Sequence, residues 1–166
     1  TNPSDGTYSI TDLPVGTYYL WSYNGASLSY FTNEWWASPE SVYDCGDAQA
    51  VVIESPGQVI IQKDFQLSIG ATISGTVYQA DGTTPVTGVS LLVSLYQGDP
   101  CGEHPWKNEV ATDPNDGTYV LTGVSPGSYY LSANNMKISD YFSEWWASPK
   151  STILWGDAQP VEVSSL

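Results

Sequence analysis

Hydrophobic and polar residues alternate along short stretches of this chain, and glycine, proline, aspartate or asparagine bounds each stretch. Tyr18 and Leu20 alternate with Thr17 and Tyr19, which is typical of a half-buried strand. No stretch of a dozen residues has a clean helical period, although TNEWWASPESV (residues 32–42) could hold one short turn. The pattern predicts strands at residues 7–10, 16–23, 28–32, 49–54, 58–67, 72–79, 88–97, 117–122, 127–133, 138–142 and 159–164.

An internal repeat changes the interpretation of this pattern. The segment DGTYSITDLPVGTYYL from Asp5 recurs as DGTYVLTGVSPGSYYL from Asp116, 111 residues later. YFTNEWWASPES from Tyr30 recurs as YFSEWWASPKS from Tyr141, and the loss of one residue there reduces the offset to 110. The period of about 110 residues is the size of one β-sandwich module.

The repeat predicts two incomplete modules. Residues 1–67 are the C-terminal part of one module without its opening strands, and residues 68–166 are a second module without its closing strand. Residues 58–67, QVIIQKDFQL, resemble a long closing strand. Since natural proteins avoid open sheet edges, we expect either a longer array or a neighbouring subunit that supplies strands. Either contact is head-to-tail.

Three groups of motifs follow one another along the chain. ISGTV precedes DGTTPVTGVSLLV; a Gly-x-Tyr-x-Leu-x-x-Val-x-Pro-Gly-x-Tyr pattern starts at Gly117, with a related one at Gly6; an aromatic segment then leads to GDAQ and KDFQL. This order resembles the carboxypeptidase regulatory-like, or prealbumin-like, domains of bacterial surface proteins, and more distantly collagen-adhesin B-type repeats. The resemblance implies an all-β fold of tandem Ig-like or prealbumin-like antiparallel β-sandwich modules. It says little about function.

The charge balance narrows the classes of partner. Eighteen acidic residues face four basic ones, for a formal net charge of −14. A negative field repels phosphate, so nucleic acid and anionic membranes are poor partners. No apolar run is long enough for membrane insertion. The excess charge favours solubility or the binding of divalent cations.

The stretch DPNDG supplies candidate metal ligands, and Asp44, Asp47 and Asp157 form a second, weaker acidic group. Asp113, Asn115 and Asp116 carry oxygen atoms of the kind that Ca²⁺ prefers. The alternative is a plain turn, because Asp, Asn, Pro and Gly favour turns for backbone reasons. We expect no cofactor other than Ca²⁺.

Two tryptophan pairs occupy equivalent places in the repeat, namely Trp35–Trp36 and Trp145–Trp146. Adjacent residues of an extended segment point to opposite sides, so one tryptophan of each pair should be more exposed. The exposed ring either binds glycan or packs against the next module or the closing loop.

The two cysteines, Cys45 and Cys101, have no repeated counterparts, since Trp155 stands where a second copy of Cys45 would be. They bond each other across the module junction or between subunits, or they remain free or externally paired. The single histidine, His104, has no serine nucleophile or second ligand nearby, and no catalytic motif occurs.

The sequence therefore predicts a non-enzymatic, secreted, cell-surface protein. It would be a segment of a tandem-repeat stalk, adhesin or fibre, with neighbouring copies or modules of itself as partners. The alternative is a carbohydrate-binding accessory module that uses the tryptophan pairs.

Overall fold

The computed structural model of the chain describes residues 1–23, 30–98, 106–134 and 141–164. Two compact units emerge: unit 1 comprises Thr1–Tyr23 and Asn33–Leu67, and unit 2 comprises Asn24–Thr32 and Ser68–Leu166. The predicted all-β class with antiparallel pairing is confirmed. Across the residues described, helices of the length and apolarity needed to cross a membrane are absent.

Unit 1 contains four short strands and one 3₁₀ turn among its described residues. These are β1 (Gly16–Tyr18), β2 (Trp21–Ser22), β3 (Glu34–Trp35), the turn Cys45–Asp47 and β4 (Val51–Ile53). The strands form two separate antiparallel pairs, β1 with β4 and β2 with β3. Trp21 lies opposite Trp35 across the second pair.

Unit 2 contains the larger sheets. Its strands are β5 (Ala71–Thr76), β6 (Leu92–Gln97), β7 (Trp106–Ala111), β8 (Thr118–Val124), β9 (Gly127–Asn134), β10 (Glu144–Trp145) and β11 (Val161–Val163), with a second 3₁₀ turn at Trp155–Asp157. One sheet runs β10–β9–β6–β7, and β11 also pairs with β9. Because β6 and β10 both pair with Ser132, they lie on opposite edges of β9. The second sheet pairs β5 with β8.

The core of unit 2 joins residues of both sheets. Val93 and Leu95 of β6 form one buried cluster with Leu121 and Val124 of β8 and with the start of β9. Ile73 of β5 packs against the same cluster. Apolar side chains from two sheets that share one core are consistent with a β-sandwich.

Local geometry recurs along the chain together with the sequence motifs. The Tyr18 hydroxyl donates to the Pro14 carbonyl over 2.8 Å, and the Tyr129 hydroxyl donates to the Ser125 carbonyl over 2.8 Å. Both tyrosines bond four residues back, at equivalent places of the repeat. The repeated sequence thus forms the same hydrogen-bonded turn in both copies.

Two predicted strands are wrong. Residues 7–10 and 58–67 form no strand. Gln62 has a φ of 60°, which lies in the left-handed region and interrupts an extended run. Asp12, two residues after the stretch 7–10, has a φ of 61°, also in the left-handed region. Residues 7–10 pair with no described strand, whereas β8, at the equivalent place of the repeat, pairs with β5.

Three observed strands were missed, namely β3, β7 and β10. β7 has the sequence WKNEVA, whose polar residues do not alternate cleanly with apolar ones. The predicted turn in residues 32–42 is wrong, because β3 lies there and the short helical turns occur later. The predicted strands 28–32 and 138–142 lie partly outside the described residues, at 28–29 and 138–140. In the described remainder, Phe31 makes an isolated bridge to Ile69, and residues 141–142 form no strand.

A close backbone approach connects the two strands of the β5–β8 sheet. A Cβ added to Gly70 would lie 2.5 Å from the carbonyl carbon of Gly123 and 2.7 Å from the Val124 nitrogen. Those are backbone atoms, so relief requires the strands to separate.

We expect Gly70→Ala to lower the free energy of unfolding by about 1–3 kcal/mol, because an added methyl group overpacks this contact. Gly156→Ala is the matched control, since nothing lies within 4 Å of its added Cβ; its change should stay within about 0.5 kcal/mol. Urea unfolding of both variants measures the difference. Equal stabilities would contradict the close approach.

Candidate functional site

The second tryptophan of each pair is held by the same backbone hydrogen bonds. The Trp36 nitrogen donates to the Leu20 carbonyl over 2.9 Å, and the Trp36 carbonyl accepts from the Gln49 nitrogen over 3.0 Å. These bonds fix the backbone of Trp36 at the end of the β2–β3 pair.

Trp146 repeats this arrangement in unit 2. Its nitrogen donates to the Leu131 carbonyl over 2.9 Å, and its carbonyl accepts from the Gln159 nitrogen over 3.1 Å. Exposure nevertheless differs, because Trp36 is 6% exposed and Trp146 is 41% exposed. The backbone position therefore does not decide whether the ring is covered.

Residues 58–67, named the covering segment here, account for part of the difference. The Lys63 Nζ lies 4.0 Å from the centroid of the Trp36 ring, within the range of a cation–π contact. Alternate residues are half-buried, since Lys63 and Phe65 are partly covered while Gln62, Asp64 and Gln66 are exposed. The segment thus lies along unit 1 without joining a sheet.

Three further contacts fix the covering segment. The Tyr8 hydroxyl donates to the Lys63 carbonyl, and the Tyr8 and Phe65 rings lie 6.1 Å apart. The Gln66 nitrogen donates to the Ser41 hydroxyl over 3.0 Å. Burial, followed by the nearby Asp64 carboxylate, raises the pKa of Tyr8. The neutral tyrosine that this favours is the form that can donate the hydrogen bond.

The first tryptophans of the pairs, Trp35 and Trp145, are half-buried and belong to different aromatic groups. Trp145 contacts Tyr96 at 5.2 Å and Trp155 at 5.3 Å between ring centroids. Cys45 replaces the Trp155 ring in unit 1, and Trp35 stacks instead on Trp21 at 5.7 Å.

A group of exposed aromatic residues was missed in the sequence. Tyr19, Trp21 and Tyr23 are all exposed, and Trp21 lies 5.2 Å from Tyr23 between ring centroids. Their spacing of two residues, visible in YLWSY, places them on one face of an extended segment. We name these three residues the aromatic row.

Apolar side chains of residues 7–13 are exposed where their counterparts in unit 2 are buried. Ile10 is 55% exposed and its counterpart Leu121 is 1% exposed. Leu13 is 36% exposed and its counterpart Val124 is 3% exposed. Leu121 and Val124 lie against β6, and no described strand of unit 1 occupies that place.

The predicted calcium ligands lie together in one turn. The Asp113 carboxylate accepts from the Asn115 nitrogen over 2.8 Å, and the Asp116 carboxylate accepts from the Thr118 nitrogen over 2.9 Å. Among the described residues no group of three or more His, Cys, Asp or Glu side chains is arranged to hold a metal ion. The calcium site stays a prediction.

Cys45 is an exposed, free cysteine and the first residue of the first 3₁₀ turn. Cys101 lies outside the described residues. The disulfide between them stays a prediction.

Comparison with known proteins gives no relative. No protein-family model, curated protein or solved structure matches the chain. Functional arguments therefore rest on the residues themselves.

The hydrogen bonds that Asp116 accepts, first from the Thr118 side chain and then from its backbone, lower the pKa of its carboxyl group. A lowered folded pKa stabilises the fold above the unfolded pKa of about 3.9, and this contribution is lost as pH falls below that value. Asp116→Asn should therefore be less stable than the wild type at pH 6, and the gap should close towards pH 2. Thermal unfolding at both pH values measures it.

Asp5→Asn is the matched variant in unit 1, because hydrogen bonds from Thr7 likewise lower the pKa of Asp5. A gap of the same size at pH 2 and pH 6 would mean that charge is not what stabilises the turn.

Proposed function

We propose that this chain is a non-enzymatic extracellular structural protein, a segment of a tandem-repeat stalk, adhesin or fibre. Its β-sandwich modules repeat every 110 residues or so and assemble head-to-tail at the cell surface. The resemblance to prealbumin-like domains belongs to the same proposal. The recurrence of the motifs together with their hydrogen bonds supports a repeated module.

One observation carries the proposal, namely the contrast between Ile10 and Leu121. The two residues stand at the same place of the repeat, yet only Leu121 is buried. Exposing a large aliphatic side chain rather than burying it costs about 1.5–3 kcal/mol. A partner that covers Ile10 and Leu13 would recover this free energy, so the segment 7–13 favours association.

Unit 2 shows which side chains pack on the residues equivalent to Ile10 and Leu13. There Ile73 of β5 and Val93 and Leu95 of β6 pack on the cluster that contains Leu121. The partner that fits residues 7–13 is therefore a neighbouring module of the same type, presenting strands equivalent to β5 and β6. Strand addition to an incomplete sandwich is a known mode of assembly. Different surfaces on the two modules make the contact head-to-tail.

Charge supports the exclusion of other partners. A net charge of −14 disfavours nucleic acid and anionic lipid. It also keeps assembled copies soluble while short-range apolar contacts hold them together. Ca²⁺ at residues 113–116 would reduce the repulsion between acidic modules.

Self-association tests this proposal. The wild-type chain should form larger species as its concentration rises, and Ile10→Asp should weaken association about 10- to 100-fold, the equivalent of burying one aliphatic side chain. Sedimentation velocity over a concentration series measures both. Electron microscopy then shows whether the larger species are filaments.

Val52→Asp is the control, because Val52 is also exposed in unit 1 but lies on β4 beside the buried Val51 and Ile53. It should associate like the wild type. A chain that stays monomeric at every concentration, or that associates equally well with Asp at position 10, would contradict the proposal.

The aromatic row favours a second function, carbohydrate binding. Trp21 and Tyr23 expose rings that lie side by side, and aromatic rings with a polar edge suit the apolar faces and hydroxyl groups of sugars. The row has no equivalent in unit 2, where Ser132 and Asn134 replace Trp21 and Tyr23. A glycan site would therefore belong to unit 1 alone.

If the chain binds glycan, Trp21→Ala should weaken binding about tenfold, through the loss of ring stacking. Depletion of the chain by insoluble cellulose, starch and chitin measures this, with Val52→Ala as the control. Absence of binding to all three and to a glycan array would remove this alternative.

A further inference from the structure

The exposed ring of Trp146 has a covered counterpart in the same chain. Trp36 and Trp146 share their sequence context and their backbone hydrogen bonds, and differ in the cover over the ring. In unit 1 the cover includes Lys63 of the covering segment, 4.0 Å from the ring centroid. No described residue of unit 2 takes that place over Trp146.

Phe31 and Phe142, another pair of equivalent residues, show the same difference in exposure. Residues 68–70, which follow the covering segment in the chain, pair with residues 30–32: the Thr32 nitrogen donates to the Ser68 carbonyl over 2.9 Å, and Phe31 bridges to Ile69. Phe31 is 48% exposed, whereas its repeated counterpart Phe142 is 84% exposed. Two separate positions of the repeat are thus more covered in the first copy than in the second.

One of the two hydrogen-bond anchors of the covering segment is retained in the second copy, whereas the other is not, because Tyr119, the counterpart of Tyr8, packs against the core of unit 2. Ser41, which accepts from the Gln66 nitrogen, has its counterpart in Ser151. The Ser151 hydroxyl donates to the Glu144 carboxylate, which leaves its oxygen able to accept a hydrogen bond. The second copy therefore presents an exposed aromatic ring and a serine hydroxyl at the places that the covering segment contacts in the first copy.

We infer that Trp146, Phe142 and Ser151 form a docking surface for a second segment of the 58–70 type, supplied by a neighbouring module. The occupant places a lysine over the Trp146 ring, as Lys63 lies over Trp36, and pairs its final residues with the backbone around Phe142. This inference rests on the proposed function. It names the segment of a neighbouring module that binds the surface around Trp146. The lysine strengthens binding because it supplies the cation that the ring attracts.

A peptide with the sequence of residues 58–70, labelled with fluorescein, tests the inference directly. Fluorescence anisotropy of the peptide should rise and saturate as the full chain is added. Trp146→Ala should weaken binding about tenfold or more, and Val52→Ala, at an exposed apolar residue of β4, should leave it unchanged. The covering segment of the chain itself already occupies Trp36, so the peptide reports on Trp146.

Changing the peptide gives a test that does not depend on how a variant chain folds. A peptide with Lys63→Gln should bind about two- to fivefold more weakly, the range expected for an exposed cation–π contact. Absence of saturable binding, or binding that neither Trp146→Ala nor the altered peptide weakens, would overturn the inference.

The inference and the proposed function fail separately. Titrations are run below the concentration at which the chain self-associates, and are repeated with Ile10→Asp. Self-association that depends on Ile10, without peptide binding, overturns the docking surface alone. Peptide binding that depends on Trp146, in a chain that never self-associates, supports the docking surface and overturns head-to-tail assembly through residues 7–13.

Discussion

Packing of β8 onto β6 is the contact on which the rest of unit 2 depends. Leu121 and Val124 reach almost complete burial only because Val93 and Leu95 lie against them. Apolar burial is the main favourable term in folding, and a two-stranded pair alone is marginal in water. The glycines at positions 70 and 123 let β5 approach β8 closely enough to complete this layer. Turns, edges and the short strands β10 and β11 lie around this core.

Unit 1 shows what the same motifs do without that contact. Its β1–β4 and β2–β3 pairs form in the places where β9 pairs with β11 and β10, so local hydrogen bonding does not need the facing strands. Residues 7–13, by contrast, form no strand, and Ile10 remains exposed. Local sequence thus determines the turns and short pairs, while the longer strand β8 needs a neighbour. This division explains why we place the assembly surface at residues 7–13.

The sequence predicted the all-β class, the repeat and the approximate places of eight strands, because period-two alternation and glycine-rich turns report on each residue's immediate surroundings. It failed where structure depends on distant residues. Residues 58–67 alternate like a strand, but the left-handed conformation at Gln62 and the contact of Lys63 with Trp36 keep them outside the sheets. The aromatic row could have been found, since Tyr19, Trp21 and Tyr23 follow the same alternation. The different exposure of Trp36 and Trp146 could not, because their local sequences are identical.

The different exposure of Trp36 and Trp146 has a general physical meaning. Two tryptophans with the same neighbours in sequence and the same backbone hydrogen bonds can differ in exposure only through groups that come from elsewhere. In unit 1 those groups lie 20 to 30 residues further along the chain. One repeat can contain both a surface and, further along the chain, the segment that covers it. That segment can then bind the surface of its own module or the surface of a neighbouring module. Because loop closure becomes only slowly more costly with length, the closed form within one module is favoured wherever the segment is present. Contacts between modules are then expected at the surfaces that remain uncovered, in line with the assembly that we propose.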